Sequence, residues 1–356
     1  MGIWYILLVN SGRSELMVTI KEIAEMLGVS TATVSNVIHG KTKKVSKKNI
    51  ERIEKVLKET KYVNRMDKNA LINEKPLIIG VVIHTCKSYE NTFLSDPFYG
   101  QLVGVLEKEI RKAGYYMMLY ASESTEEIYQ MVMTWNIAGL VAVTFTHTEY
   151  NKLAALIKRP IVAVDLYNIL DHNYYNVGTQ DKQGGFLMTK YLLDLGYSDI
   201  LVIGNRNVGV DYTRWQGYEE ALKKAEGSRF KAYPLIAASD VYEKRRKQFE
   251  ELAGFAAWNK RTALFFLADI LAVEGINFFA EKGIIVPDDV GIAGYDDSQY
   301  SSITHPKLTT INQDITIKAK KTCEMLLDLL NGREIEKHNL LLPVRLVIRN
   351  STKNKG

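Results

Sequence analysis

Cysteine and histidine are scarce. The two cysteines, Cys86 and Cys323, lie far apart in a chain of 356 residues, which leaves no disulfide framework and no thiolate cluster for a metal. The six histidines form no His-Glu-x-x-His pair and no His/Cys cluster, so zinc-hydrolase chemistry has no ligand set. A Gly-x-Ser-x-Gly elbow and a P-loop are also missing, which removes the signatures of serine hydrolases and nucleotide phosphatases. Neighbouring carboxylates such as Asp296 and Asp297 keep hydrolysis from being excluded outright. No apolar run approaches membrane-spanning length, and residues 3–9, apolar but few, lack a basic leader and a cleavage site. The expectation is a cytoplasmic protein that is not an enzyme and uses no cofactor, metal or membrane.

What is present is a soluble globular composition, 46% hydrophobic and 24% charged, in a chain long enough for two or three domains. Three short segments near the start share one pattern. Thr19, Ser30 and Ser46 each have an aliphatic residue just before (Val18, Val29, Val45) and another four positions after (Ile23, Val34, Ile50). This is an N-cap hydroxyl with a hydrophobic staple, and Glu22 completes a capping box with Thr19. Three helix starts in so short a span, with Gly28 at the tight turn between the first two, predict a helix-turn-helix.

The second helix places Thr31, Ala32, Thr33, Ser35 and Asn36 toward solvent and Val34, Val37 and Ile38 inward. Short polar side chains on an exposed helix suit a major groove, although three-helix units with such faces also serve in protein docking. Charge weighs against docking. Residues 17–75 hold 13 Lys and Arg against 7 Asp and Glu, which accounts for the whole +5 of the chain. Lys41, Lys43, Lys44, Lys47 and Lys48 cluster between the second and third helices, as a phosphate-facing surface requires.

The run VTIKEIAEMLGVSTATVSNVIHGKTKKVSKKNIERIEKVLKETKY closely resembles the DNA-binding headpiece of the LacI/GalR transcription regulators. The motifs DKQGGF, TRWQGY, VPDDVGIAGYDD, PKLTTINQD and VIRNST extend the likeness to the C-terminus. The resemblance implies a sequence-specific, effector-controlled homodimer on a palindromic double-stranded operator, most simply a repressor. It places Thr31, Ala32 and Asn36 at base edges, and Thr19, Ser30, Thr33, Ser35 and Ser46 at phosphates. His39 stands where the family usually has Asn. Leu71 falls on the hinge-helix leucine that wedges the minor groove, but Asn64, Arg65 and Lys68 depart from the family's hinge, which leaves a plain linker as the alternative.

From residue 77 onward, short β-rich runs (77–83, 116–120, 140–145, 161–166, 200–204, 263–267, 290–295) alternate with helical patterns (99–113, 126–136, 181–195, 213–225, 270–282, 315–330). Such alternation indicates parallel sheets covered on both faces, and its length suggests two of them. The family's counterpart is a type I periplasmic-binding-protein-like domain of two Rossmann-like lobes joined by three crossings. The expected layout is an extension at 1–16, with Met17 as the start expected from the family, a headpiece at 17–63, a hinge at 64–76 and an effector and dimerisation domain at 77–350. Within that domain the N-lobe is expected at 77–177 and 308–331 and the C-lobe at 178–304 and 339–350. The first crossing is expected near Val177, the second at 304–308 and the third at 331–339.

Ligands in open α/β sheets bind beyond the carboxyl ends of strands. By the family correspondence the effector contacts are Arg214, Asp269 and Asp296, then Asp165 and Gln313, with Phe98 or Tyr99 packing on a ring. The effector implied is a carbohydrate or related metabolite, since carboxylates and a guanidinium grip vicinal hydroxyls in pairs. Structural roles stand beside these: Asp297 as a turn cap, Arg214 in an ion pair, Asp269 as an N-cap. Ala268 replaces an Asn common in sugar-responsive members, so a different or less hydroxylated effector, or a domain that only dimerises, remains open. Dimerisation is expected through residues 99–113 and 269–282, without a C-terminal coiled coil.

Overall fold

The computed structural model describes residues 19–38, 41–42, 45–59, 76–85, 93–166, 174–205, 208–225, 230–239, 241–256 and 260–355. The expected extension 1–16, Met17, His39 and the hinge residues 64–75 with Leu71 lie outside the described residues. The chain divides into two compact units, Met1–Glu74 and Lys75–Gly356.

Among the described residues the first unit holds three helices, α1 (Ile20–Leu27), α2 (Thr31–Ile38) and α3 (Lys47–Glu59). Thr19 caps α1 in a full capping box: its backbone N–H donates to Glu22 Oε2 at 2.7 Å, and Glu22 N–H donates to Thr19 Oγ1 at 3.3 Å. Gly28 ends α1 in the left-handed region, φ 64°, where a side chain would be strained. Ile23, Ala24, Val34, Val37 and Ile53 form the buried centre. The staple residues Val29 and Val45 pack around them, so the same aliphatics that mark the helix starts also build the core.

Among its described residues the second unit contains two six-stranded sheets. One has the order β11-β5-β4-β3-β1-β2, formed by β1 (Ile78–His84), β2 (Tyr116–Ser122), β3 (Ile137–Val143), β4 (Ile161–Val164), β5 (Tyr175–Thr179) and β11 (Asn339–Leu342). The other has the order β12-β10-β9-β8-β6-β7, formed by β6 (Asp199–Gly204), β7 (Ile236–Ala237), β8 (Thr262–Phe266), β9 (Gly291–Asp296), β10 (Thr309–Gln313) and β12 (Val344–Val347). All pairings are parallel except β10 with β12. Every residue of β3 and of β8 is buried, as expected of strands covered on both faces. The covering helices of the first sheet are α4 (Pro97–Lys112), α5 (Thr125–Thr134), α6 (His147–Leu156) and α12 (Ile315–Leu330). Those of the second include α7 (Asp181–Asp194), α8 (Gly209–Lys224), α9 (Tyr242–Ala256) and α10 (Asp269–Glu281), with the short α11 (Gln299–Ile303) after β9.

Two expected lobe boundaries are corrected by this pairing. Residues 309–313, expected in the N-lobe, form β10 between β9 and β12 in the C-lobe sheet, and Leu308 and Ile311 are buried in that lobe's core. The second crossing therefore falls at Asp314, whose side chain caps α12 by accepting from Ile317 N–H at 2.9 Å. Residues 339–342, expected in the C-lobe, form β11 beside β5 in the N-lobe sheet. The third crossing falls at Pro343, which has no N–H to give a ladder and so splits one apolar run between two sheets. The first crossing lies at Gln180, just beyond the expected Val177.

Candidate functional site

In the first unit, α2 exposes Thr31 and Ala32 to solvent and half-buries Thr33, Ser35 and Asn36, while Val34 and Val37 are buried. The exposed face is thus the expected one. Ser30 Oγ accepts from Thr33 N–H at 3.1 Å and shares a hydrogen bond with Thr33 Oγ1 at 2.8 Å, so these hydroxyls rigidify the start of the helix. Ser46 caps α3 by accepting from Asn49 N–H at 3.4 Å, with exposed Lys47 and Lys48 directly after it. Cations at a helix start are unfavourable for the helix itself and suit an external anion.

The second unit holds a cavity of about 380 Å³ between its lobes, a size suited to a small metabolite. Its N-lobe walls include Asp96, Phe98, Tyr99, Thr144 and Asp165; its C-lobe walls include Asn205, Asp211, Arg214, Ala268, Asp296 and Gln313. Most sit at or just beyond the carboxyl ends of strands, where parallel sheets leave a crevice. Thr144, Asp165 and Asp296 adopt positive φ (66°, 58° and 117°), and strained non-glycine backbone of this kind concentrates at ligand sites. Asp96 caps α4 by accepting from Phe98 N–H at 2.9 Å, with Pro97 at the first helical position, which fixes the start of the helix bearing Phe98 and Tyr99. Tyr99 then meets Thr144 by a hydroxyl contact of 3.2 Å.

Arg214 reaches the cavity from α8 while firmly held. Its Nε donates to Asp181 Oδ1 at 2.7 Å, Nη1 donates to the Leu267 carbonyl at 2.6 Å, and its guanidinium carbon lies 3.7 Å from the centre of the Tyr295 ring. Burial opposes the charge, yet the carboxylates around it, Asp181 first, raise the guanidinium well above its ordinary value. The DKQGGF and TRWQGY motifs explain the placement: a Cβ at Gly185 would run into the Arg214 carbonyl, and one at Gly217 into the Lys182 carbonyl, so the glycines let α7 and α8 touch by backbone.

Asp165, Gln313 and Asp296 form the floor. Gln313 Nε2 donates to Asp296 Oδ1 at 2.5 Å, and Lys318, fully buried on α12, donates to both Asp165 oxygens at 2.7 Å and to Gln313 Oε1 at 2.6 Å. Burial pushes the Asp296 carboxyl well up, and the Arg214 guanidinium opposes that rise. Burial raises Asp165 also, and the Lys318 ammonium works against that rise.

Of the expected effector contacts, Phe98, Asp165, Arg214, Asp296 and Gln313 meet at this cavity, with Tyr99 beside Phe98. Asp269 does not. It is fully buried at the start of α10, accepting from Ser298 N–H at 2.7 Å and from Thr310 Oγ1 at 2.6 Å, so both its oxygens close the strand ends behind the cavity wall. Nor is it an N-cap, a position taken by Ala268. Asp297 likewise turns inward, accepting from Ser301, Asn312 and Arg349. Lys318, Asp181 and Asp211 are site residues not read from the sequence. Lys318 left a legible trace, a lone cation on the stripe of Ile315, Ala319, Thr322 and Cys323 that α12 buries.

Two family profiles match the chain: bacterial regulatory proteins of the lacI family over residues 19–64, and a periplasmic binding protein-like domain over residues 189–352. The HTH-type transcriptional repressor PurR of Histophilus somni strain 129Pt is 28% identical over 351 residues, covering 95% of this chain and 99% of the relative. Among solved structures, the lac repressor dimer bound to operator and the anti-inducer ONPF superposes with a TM-score of 0.78 at 22% identity, over 95% of this chain and 100% of that one. A LacI family transcriptional regulator from Enterococcus faecium with bound ribose gives 0.66 at 24% identity, over 78% and 100%. These structures share the fold. The helix-turn-helix unit and the two-lobed domain around the cavity lie where the two profiles match, and the chain belongs to the LacI/GalR family of transcription regulators.

Proposed function

We propose that this protein is a transcriptional repressor that binds a palindromic operator as a homodimer and whose affinity for DNA is set by a small neutral, hydroxylated ligand, most simply a carbohydrate, taken between the lobes. The observation that carries the effector half is the cavity itself. It brings the aromatic rings of Phe98 and Tyr99 together with Asp165, Arg214, Asp296 and Gln313, a combination that packs on the apolar face of a sugar ring and grips its hydroxyls. The repressor half is supported by the exposed polar face of α2, the lysines at the start of α3 and the repressor relatives that align over nearly the whole chain. Coupling follows if the ligand favours one lobe arrangement, since an equilibrium shifts only by the ligand's differential affinity for the two states.

A nucleobase is the second reading. Phe98, Tyr99 and Phe145 around the cavity offer flat surfaces, and the Gln313 amide and the Asp296 carboxyl beside them offer hydrogen-bonding groups for the edge of a base.

Thermal-shift titration of the full-length protein against a panel of free sugars and a panel of purines and nucleosides tests both. Saturable stabilisation is the expected result, and the panel that produces it decides the ligand class. The same protein should select a palindromic sequence from a randomised duplex pool, with affinity falling steeply with salt. Equal weak binding to all duplexes, with and without the ligands, would overturn the proposal.

A further inference from the structure

Lys318 joins groups from both lobes. It projects from the first turn of α12, whose buried face packs into the N-lobe core. Its ammonium takes both oxygens of Asp165, at the end of N-lobe strand β4, and the side-chain carbonyl of Gln313, at the end of C-lobe strand β10. Gln313 passes the contact to Asp296, at the end of C-lobe strand β9. The ammonium also lies 5.3 Å from the centre of the Phe98 ring, within cation–π range. The four polar side chains form one continuous line under the cavity, across the second crossing at Asp314. Asp165 and Asp296, its two ends, both hold positive φ, so the line is anchored in backbone that costs free energy unless its surroundings enforce it.

A wholly buried lysine is costly to desolvate, and an apolar residue of similar length would pack α12 without that penalty. Lys318 must therefore do what packing does not require. Its donors are all committed to polar partners on both sides of the cleft.

We propose that Lys318 is the positioning residue of the cleft: by holding Asp165 and Gln313 together, and Asp296 through Gln313, it fixes the angle between the lobes before any ligand arrives and presets the polar floor that the ligand meets. The Gln313 amide could otherwise turn either way. With Lys318 on its oxygen, its nitrogen must face Asp296. A ligand hydrogen-bonding to Asp165 or Asp296 then acts on the same line that sets the lobe angle, which is how occupancy of the cavity becomes a lobe movement.

The test uses the full-length protein with neither DNA nor effector, so its failure leaves the regulatory reading standing, and failure of that reading leaves the test valid. Spin labels are placed at Lys152→Cys on α6 and Lys223→Cys on α8, both exposed, one on each lobe. Cys86→Ser removes a competing thiol, and Cys323 is buried. The inter-label distance distribution is measured by pulsed electron resonance. With Lys318 in place it is expected to be single and narrow. Lys318→Met should broaden it and move its centre by several ångströms. Gln313→Leu, which keeps the Lys318–Asp165 pair but cuts the link to the C-lobe, should do the same. If Lys318→Met alone fails to fold, Lys318→Met with Asp165→Asn leaves no unpaired buried charge and should give the same broadening. A purely structural lysine would lower the melting temperature and leave the distance unchanged. Folded Lys318→Met, Gln313→Leu or double variants that keep the narrow distribution overturn the proposal.

Discussion

Arg214 and Asp181 form a buried ion pair across two helices, Nε to Oδ1 at 2.7 Å, with side-chain exposures of 5% and 0%. Asp181 opens α7 immediately after the first crossing and is further held by Thr179 Oγ1 at 2.7 Å, while Arg214 lies one turn into α8. The pair sets the cavity-facing guanidinium and locks α7 to α8 at once. Removing Asp181 takes away the nearest carboxylate and leaves the buried guanidinium with Asp211 at 4.0 Å, so Asp181→Ala should cost about 3–5 kcal/mol. Urea unfolding of the two proteins measures it. A cost below about 1 kcal/mol would mean that Arg214 finds other partners and that Asp181 is not what holds it.

Gly185→Ala tests the same contact from the backbone. The new methyl would meet the Arg214 carbonyl, which cannot swing aside as a side-chain tip can. The helices must part, at a cost of about 1–3 kcal/mol. Gly254→Ala on α9, where nothing lies within 4 Å of the added carbon, serves as the control and should be neutral or stabilising by up to about 1 kcal/mol. Equal denaturation midpoints for the two variants would show that α7 and α8 can separate freely.

Where the sequence could be read, the determining interactions were local. Thr19 with Glu22, Ser30 with Thr33 and Gly28 each act within one turn, so three helix starts were visible before any fold was known. The helix at 147–156 carries the same kind of local signal, a Thr146–Glu149 capping box. Lobe membership of 309–313 and 339–342 could not be read this way, because strands of five and four residues carry no mark of which distant sheet they join. Asp269 and Asp296 look alike in sequence, each at a strand end. They differ in what stands opposite: Thr310 and the Ser298 N–H turn the first inward, while Gln313 holds the second at the cavity.

Asp269 makes stability depend on pH. Burial pushes its carboxyl up from 3.8 to about 7. The folded protein then holds this proton more tightly than the unfolded chain. The contribution to stability is full below about pH 4 and is lost as pH rises through about 7. Asp269→Asn keeps an acceptor for Ser298 N–H and a hydrogen-bonding group for Thr310 without the titration. Melting temperatures taken across that window should fall with pH more steeply in the unsubstituted protein than in the variant. Parallel curves would show that Asp269 is ionised throughout.

On the DNA face, base reading and phosphate binding should separate by residue. Thr31 is exposed at the start of α2, where a short side chain can reach a base edge, whereas Lys47 is exposed at the start of α3 and has the reach of a phosphate contact. Sequences selected from a randomised duplex pool supply the reference site. Thr31→Ala should relax preference at one position of each half-site by about 1–3 kcal/mol, with little change in salt dependence. Lys47→Ala should weaken every duplex alike and lower the salt slope by about 1 per protomer. Both variants act on solvent-facing side chains and leave the buried centre of Ile23, Val34 and Ile53 intact, so unchanged helix content is expected alongside. Undiminished selectivity in Thr31→Ala would mean that α2 does not enter the major groove by its N-terminal face.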